Sequence, residues 1–315
     1  MHTGTGIGCA IGMTTTCGFI GLGQMGAPMA RNLVRRAQLV VWARDARQAD
    51  TIVAAGATRA TGSSSFSRVQ VVFLCLPDGA VVDELLFGAF GLAVALPRGA
   101  IILVTSTIDY GRALALQSRL AAMDITFIDA PVSGMQARAE AGTLTMMCGA
   151  TEGQIAPLRP LLETMASTIL PMGKPGSGQL AKLINQLLFD INAAALAEVL
   201  PLAVKLGLDP DKVGAIVNSG TGRSYAPEFF IPNILRGDLS KGYPMEAAYK
   251  DLVSGAEISA RHTIPMPVLA AATVVYQSAL RAGHGNKDKG GMIRLAEEAL
   301  SVAFRSKTGM GPNDE

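Results

Sequence analysis

Residues 16–26 of the 315-residue chain read TCGFIGLGQMG, an apolar run that leads into a cluster of glycines. Its apolar start suits a short buried strand. Gly21, Gly23 and Gly26 then match G-x-G-x-x-G, and the residues from 24 to 36 show the spacing of a helix. A strand, a glycine-rich turn and a helix in this order predict the opening of a parallel sheet whose first turn can receive a phosphate group.

Each glycine of the turn has a physical role. The first permits the tight turn, the second lets the backbone approach a pyrophosphate, and the third allows close packing of helix on strand. An ordinary glycine-rich turn would share the pattern, so its weight comes from the flanking strand and helix. We predict a bound dinucleotide here. The expected contacts come from Gly21, Leu22, Gly23, Gln24, Met25 and Gly26.

The end of the second predicted strand bears on which dinucleotide binds. Arg44 follows Gly21 by 23 residues, about where a contact with the ribose should fall. A guanidinium can hold a 2′-phosphate in a bidentate manner, which favours NADP. Asp45 leaves alternatives open, because it could cap the next helix or act as the acid that favours NAD.

Outward from the turn, helical patterns separate further apolar runs. The runs lie at 39–42, 69–76, 100–104 and 125–128, with two more strands expected at 143–149 and 167–172. The alternation predicts an α/β fold with a Rossmann-type doubly wound parallel sheet.

The pattern then changes. Residues 176–206 predict one long connecting helix, with a kink or break at Pro201. Helical patterns at 209–217, 244–262, 266–281 and 290–304 predict an all-α C-terminal domain, and 219–243 is expected to be a loop. We expect a disordered extension at 1–12 with Met13 as the natural start. The other predicted segments are an NAD(P)-binding Rossmann domain at 13–174, an interdomain helix at 175–206 and an all-α domain at 207–315.

Composition excludes several classes of function. The net charge of +2 gives no basic excess for nucleic acid or an anionic membrane. Asp190, Glu198 and Pro201 interrupt the most apolar segments, so no stretch is expected to reach the roughly 18 residues of a membrane helix. The four cysteines form no CxxC pair and the three histidines have no metal-ligand spacing, which predicts a cytoplasmic protein without a metal. Cys75 and Cys148 are expected in the core.

Two further clusters carry candidate chemistry. Ser133 and Gly134 follow a predicted strand, where a hydroxyl beside backbone N–H groups could cradle a carboxylate or simply form a turn. Lys182 and Asn185 share one face of an apolar helix behind a glycine-rich start. Such a lysine could transfer protons or extend to solvent. Lys250 and Asp251 read locally as a solvated ion pair.

Four motifs, in order, resemble the β-hydroxyacid dehydrogenase family, which includes 3-hydroxyisobutyrate dehydrogenase and 2-hydroxy-3-oxopropionate (tartronate semialdehyde) reductase. They are GFIGLGQMGAPMARNL (18–33), DAPVSGMQARAEAGTLTMMCG (129–149), GKPGSGQLAKLINQ (173–186) and KDLVSGAE (250–257). The resemblance implies an NAD(P)-dependent oxidoreductase that moves hydride between NADP(H) and a short 3-hydroxy acid or its semialdehyde. It also implies a homodimer or homotetramer.

The resemblance also implies a role for individual residues. Lys182 would be the catalytic acid/base and Asn185 would orient the substrate, whose carboxylate Ser133 and Gly134 would hold. The implied cofactor contacts are Leu76, Pro77, Thr107, Lys250 and Asp251.

One departure from the family pattern concerns the substrate. Met135 replaces the last glycine of the usual Ser-Gly-Gly and could reshape the carboxylate pocket. This leaves a bulkier carbonyl or imine substrate as an alternative. Arg223 could instead bind a second anionic group, such as a sulfonate or phosphonate, or lie on the surface. A non-catalytic NADP-binding scaffold is the alternative from outside the enzymes, and the intact Lys182 argues against it.

Overall fold

The structure, a computed structural model, describes residues 15–306. The predicted extension at 1–12 and the predicted start at Met13 lie outside these residues. The chain forms two compact units, the first ending at Lys182 and the second beginning at Leu183. The predicted boundaries at 13–174, 175–206 and 207–315 stay predictions.

A six-stranded parallel sheet organises the first unit. Its strands are β1 (Thr16–Ile20), β2 (Gln38–Trp42), β3 (Thr58–Arg59), β4 (Val71–Leu74), β5 (Ile101–Val104) and β6 (Thr126–Asp129). Their order is β3-β2-β1-β4-β5-β6, which confirms the predicted Rossmann-type sheet. Chain order reverses between β1 and β4, and ligands of such sheets bind outside the carboxyl ends of the strands at this point.

The remaining strands of the first unit form a second sheet. They are β7 (Val132–Ser133), β8 (Leu144–Cys148) and β9 (Ala166–Pro171). β7 is antiparallel to β8, and β8 is parallel to β9. The strands predicted at 143–149 and 167–172 therefore exist, but they lie in this smaller sheet.

Helices cover both faces of the large sheet. Those before residue 175 are α1 (Gly26–Leu33), α2 (Asp50–Val53), α3 (Gly79–Phe87), α4 (Leu92–Ala95), α5 (Tyr110–Ala121), α6 (Met135–Glu140), α7 (Glu152–Ile155) and α8 (Arg159–Leu162). Phe19 and Phe73 pack in one core with α1, while Ile20 and Leu74 pack in another with α3 and α5. Because both faces are buried, the strands are continuous apolar runs, which is why they are readable in the sequence.

The predicted core cysteines lie where expected. Cys148 is fully buried and Cys75 packs against the same core as Phe19. Burial raises the pKa of the Cys148 thiol to about 12 and that of Cys75 to about 11. Both thiols therefore stay protonated and unreactive near neutral pH.

The regular elements in the described part of the second unit are all helices, apart from an isolated bridge between Pro244 and Asp288. The long helix α9 (Ser177–Lys205) begins in the first unit. It is followed by α10 (Pro210–Ser219), α11 (Tyr225–Leu235), α12 (Met245–His262), α13 (Pro267–Arg281) and α14 (Ile293–Leu300). The predicted long helix and all-α C-terminal part are confirmed.

The structure corrects the expectations for this region. Helix α9 continues through Pro201 without a break, because the neighbouring Leu200 and Ala197 are buried and their packing outweighs one lost backbone hydrogen bond. The alternative of a kink at Pro201 stays a prediction. The expected loop at 219–243 contains α11. Pro227 lies in its first turn, where an N–H would have no partner within the helix, and buried Phe230 and Ile234 supply its apolar face.

Helix α9 is long and apolar enough to cross a membrane by length and composition alone, with a mean hydropathy of 1.8 over its most apolar window. The expectation that no stretch reaches this length is therefore wrong. The result is weak support for a membrane span, since core helices of globular domains meet the same test. Asp190, near the middle of α9, is fully buried and paired with Lys289.

Candidate active site

The three glycines after β1 differ in what surrounds them. Gly21 has φ +95° and its N–H donates to the Trp42 carbonyl oxygen at 3.1 Å. A Cβ there would clash with the Cys75 carbonyl oxygen, and one at Gly26 would clash with the Gly21 carbonyl oxygen. A Cβ at Gly23 would have no protein atom within 4 Å. Gly21 and Gly26 therefore shape the turn, while Gly23 faces open space that suits the pyrophosphate of a dinucleotide.

The other predicted residues of this turn contribute unequally. The Leu22 side chain is buried in the core, so only its backbone can contact a ligand. Gln24 is exposed and Met25 is half-buried. Helix α1 begins directly after them, with its N-terminus at the carboxyl edge of the sheet. A dinucleotide fits this turn through backbone N–H groups rather than through side chains.

Arg44 and Asp45 follow β2 at the same edge. Arg44 is exposed. Asp45 caps the short 3-10 turn Ala46–Ala49, because its carboxylate accepts from the Arg47 N–H at 3.1 Å. It also forms an ion pair with the Arg47 guanidinium at 2.9 Å, and hydrogen bonding to Arg47 lowers the Asp45 pKa. Of the alternatives open for Asp45, the structure shows the cap.

Leu76, Pro77 and Thr107 follow the carboxyl ends of β4 and β5. Leu76 is half-buried and its N–H donates to the Ser106 hydroxyl oxygen at 2.7 Å. Pro77 is exposed and Thr107 is half-buried. All three stand at the sheet edge that carries the glycine turn, where the walls of a cofactor groove are expected.

Ser133, Gly134 and Met135 connect β7 to α6 through a strained turn. Gly134 has φ +139° and Met135 has φ +60°. The left-handed region costs a residue with a side chain about 1–2 kcal/mol. All three residues are half-buried. A methionine held in this conformation is an outlier of the kind that clusters at functional sites.

Lys182 is buried, with 8% of its surface exposed, on the first part of α9. The alternative that it extends to solvent is therefore not what the structure shows. Asn185 follows one helical turn later and is exposed. Its side-chain amide donates to the Gln186 side-chain oxygen at 3.2 Å.

Lys250 and Asp251 lie on α12, in the second unit. Their ion pair measures 3.4 Å between Nζ and Oδ1, and Asp251 is buried while Lys250 is partly exposed. The Gln186 amide donates to Asp251 Oδ2 at 3.3 Å. This is not a simple solvated pair, because one partner is buried and tied to α9. The contact of Gln186 with Asp251 could not be predicted from the sequence, because 65 residues separate the two.

Arg223 is exposed and forms an ion pair with Glu228. The observed position agrees with the alternative that Arg223 lies on the surface. A role in binding a second anion has no support from its surroundings, since the guanidinium already has a carboxylate partner.

The parallel sheet, the turn that is open at its second glycine and the exposed arginine after β2 define a dinucleotide-binding protein, and the buried Lys182 adds a group suited to acid/base chemistry. Two family models match the chain. One describes the NAD binding domain of 6-phosphogluconate dehydrogenase and matches residues 16–173. The other describes the NAD-binding part of NADP-dependent 3-hydroxyisobutyrate dehydrogenase and matches residues 176–296. The chain belongs to the 3-hydroxyisobutyrate dehydrogenase-like β-hydroxyacid dehydrogenases.

Known proteins are similar to this chain along almost its whole length. The chain is 34% identical to 2-(hydroxymethyl)glutarate dehydrogenase of Eubacterium barkeri over 91% of this chain and 96% of the relative. It is also 34% identical to 3-sulfolactaldehyde reductase of Escherichia coli, over 92% and 98%. The solved structure of 3-hydroxyisobutyrate dehydrogenase from Salmonella typhimurium matches with a TM-score of 0.81 and 28% identity, over 89% and 99%.

These matches confirm the predicted family, the fold and a nicotinamide dinucleotide cofactor, NADP with NAD as the alternative. They also confirm an NAD(P)-dependent dehydrogenase of hydroxy acids at the level of the family. The relatives are named for different substrates. The individual site residues stay predictions.

Proposed function

We propose that this protein interconverts a short 3-hydroxy acid and its semialdehyde with NADP(H), with Lys182 as general acid/base. Tartronate semialdehyde and 3-hydroxyisobutyrate are substrates of the proposed size. The observation that carries the proposal is the burial of Lys182, 8% exposed, on the helix that starts beside the carboxyl edge of the parallel sheet. Lysine is seldom buried unless it is paired or takes part in chemistry, and strongly perturbed lysines are common at catalytic sites.

The chain's residues divide the work of the reaction. The cofactor, when bound, supplies or accepts the hydride. In reduction, Lys182 donates a proton to the oxygen that becomes the hydroxyl group, and Asn185, one turn along the same helix, steadies that oxygen by a hydrogen bond. In oxidation, Lys182 accepts the hydroxyl proton.

Recognition of the substrate falls to the turn after β7. The Ser133 hydroxyl and the Gly134 N–H donate to the carboxylate and so fix the orientation of the reacting carbon. The side chain of Met135, held beside them at φ +60°, limits the size of the substituent that the acid can carry.

Cofactor binding falls to the sheet edge. The backbone of residues 21–26 holds the pyrophosphate, and Arg44 holds the 2′-phosphate of NADP. The groove is lined by Leu76, Pro77 and Thr107. Lys250, with Asp251 beside it, serves the nicotinamide end.

A second candidate is the reduction of an aldehyde that carries a different anionic group. One observation favours it: the relative named 3-sulfolactaldehyde reductase is 34% identical over 92% of this chain. A cytoplasmic homodimer or homotetramer completes the proposal.

The test is the loss of absorbance at the reduced-nicotinamide band. Purified protein is mixed with NADPH or NADH and a panel of tartronate semialdehyde, methylmalonate semialdehyde, succinic semialdehyde, glyoxylate and a sulfonate-bearing aldehyde. Fast oxidation of NADPH with a carboxylate semialdehyde, slower with NADH, is the expected result. Turnover of the sulfonate alone would favour the second candidate, and turnover of none would overturn both.

A further inference from the structure

Asp129, the last residue of β6, is fully buried and has no role in the function proposed above. Its Oδ1 accepts from the Gly176 N–H at 2.7 Å, and its Oδ2 accepts from the Gln179 N–H at 2.9 Å. These N–H groups belong to the start of α9, where a helix has no internal partners for them. The carboxylate therefore ties the helix that carries Lys182 to the carboxyl end of a sheet strand.

Two glycines leave the space that the Asp129 carboxylate occupies. A Cβ at Gly149 would clash with the Asp129 carboxylate. A Cβ at Gly178 would clash with the Met147 carbonyl oxygen and lie 2.9 Å from Asp129 Oδ2. Backbone from β8 and α9 thus closes around Asp129 without space for a side chain.

Gln179 ties the same helix turn to a second strand. It is 2% exposed. Its Oε1 accepts from the Ile108 N–H at 3.0 Å, and its Nε2 donates to the Ser106 carbonyl oxygen at 2.8 Å. The two bonds bracket Thr107, and the Ser106 hydroxyl in turn accepts from the Leu76 N–H. One buried network therefore joins the starts of the loops after β4 and β5 to the helix of Lys182.

Capping a helix does not by itself require the burial of a carboxylate, which costs free energy. Burial raises the pKa of Asp129, and the N–H bonds from Gly176 and Gln179 only partly offset that rise. A serine or asparagine caps a helix without a buried charge. Reactive groups, in contrast, need placement within a fraction of an ångström, and a 1 Å error can cost about a hundredfold in rate.

We propose that Asp129 and Gln179 are positioning residues that fix Lys182 relative to the Leu76 and Thr107 loops. The hydrogen bonds of Asp129 and Gln179 together form the 129–179 clamp. The inference rests on the proposed function, because it assigns Lys182 to proton transfer and the two loops to the cofactor. Gln179 lies one helical turn before Lys182, so a shift at Gln179 moves the lysine directly.

The decisive variant is Gln179→Leu, which keeps the side-chain volume near that of glutamine and removes both bonds to the loop. The expected result is a fall in kcat of about ten- to a hundredfold. The KM for the acid and the Kd for NADPH are expected to change by less than threefold, with the fold retained in circular dichroism. An unchanged kcat in folded protein would overturn the clamp.

The conservative variant Gln179→Glu adds a pH test. An ionised carboxyl accepts from the Ile108 N–H but repels the Ser106 carbonyl oxygen, whereas a protonated one can donate to it. The ratio of variant to wild-type kcat should therefore rise as the pH falls. Gln179→Leu should show no such recovery. A flat ratio for Gln179→Glu would contradict the assignment of the two bonds.

The matched control is Asp209→Asn. Asp209 caps α10 by accepting from the Lys212 N–H at 3.0 Å, and this exposed cap lies outside the proposed machinery. It should leave kcat and its pH profile unchanged.

Wild-type turnover tests the proposed function, and the variant ratios test the clamp. If wild-type protein turns over none of the acids, the function fails. The clamp is then judged by amide exchange of the Ile108 and Gln179 N–H groups in Gln179→Leu. Faster exchange in a folded variant supports it, and wild-type exchange overturns it.

Discussion

Gly23 is the residue where the sequence pattern and the space around it give the sharpest test of cofactor binding. A methyl group there meets no protein atom within 4 Å, so Gly23→Ala should leave Tm unchanged. It would fill the space through which the pyrophosphate approaches the backbone. We expect the Kd for NADPH, measured by fluorescence titration, to rise about tenfold or more, since losing one charge-assisted contact costs roughly 1.5–3 kcal/mol.

The control for this prediction is Gly153→Ala. Gly153 also has no atom within 4 Å of an added Cβ but lies in α7, away from the turn. It should leave the Kd for NADPH unchanged, while Tm stays the same or rises slightly because alanine favours a helix more than glycine does. An unchanged Kd in Gly23→Ala would mean that no pyrophosphate passes over this glycine.

Met135 is the residue that the proposed specificity depends on most. Its replacement by glycine removes a side chain beside Ser133 and relieves φ +60°. The relief and the added chain entropy of glycine oppose each other, so the free energy of unfolding should change by less than about 1 kcal/mol. The kcat/KM for acids with larger substituents should rise relative to tartronate semialdehyde. A substrate profile that stays the same would remove Met135 from the pocket.

Some site residues could be recognised from sequence and others could not, for a physical reason. The spacing of Gly21, Gly23 and Gly26 is local, so it is visible in one short stretch. The roles of Asp129 and Gln179 depend on partners 47 and 71 residues away. No local pattern carries such a contact.

Among the elements, those with strong local signals were predicted best. Helix α3 follows one of the predicted apolar runs and has a strong local signal, since Asp78 caps it by accepting from the Ala80 and Val81 N–H groups. Strands β3 and β7 were missed because each has only two residues, which is too short to show the alternation of a strand. Helix α11 was missed because its prolines and aromatic residues resemble a loop.

The contact between α9 and the 3-10 turn Lys289–Met292 gives a prediction on stability. Asp190 and Lys289 are both buried, and the Tyr276 hydroxyl donates to Asp190 Oδ1 at 3.0 Å. Lys289→Met would leave a buried carboxylate without its cation, at a cost of about 3–5 kcal/mol in the free energy of unfolding. The double variant Asp190→Leu with Lys289→Met should recover most of that loss. Urea unfolding measures both.

The loss of stability in Lys289→Met should depend on pH. Burial raises the pKa of Asp190, and Lys289 opposes that rise. Without the lysine, the folded state holds a proton that the unfolded state releases, so the loss of stability should grow as the pH rises above about 4. A loss that is equal at pH 4 and pH 8 would show that Asp190 does not titrate there.

At the scale of the whole molecule, α9 and the residue that follows it carry an exposed apolar row. Ile184, Leu188, Val199, Leu202 and Leu206 are between 48% and 71% exposed. Burying such a row is the usual way to form a homodimer. We expect light scattering to give at least a dimer for the wild type and a smaller species for Leu202→Glu. Val94→Glu, at an 80% exposed position on α4, is the control. A monomeric wild type would contradict the proposed homo-oligomer.

The role of Lys182 is tested by the turnover of Lys182→Ala with NADPH and the best acid of the panel. We expect kcat to fall by about 10²–10⁴ with the Kd for NADPH nearly unchanged. Lys205→Ala, which removes an exposed lysine at the end of the same helix, should keep wild-type turnover. Lys182→Met keeps the volume of the side chain if the alanine variant unfolds. Wild-type turnover in a folded Lys182 variant would contradict the assignment of Lys182 as the acid/base.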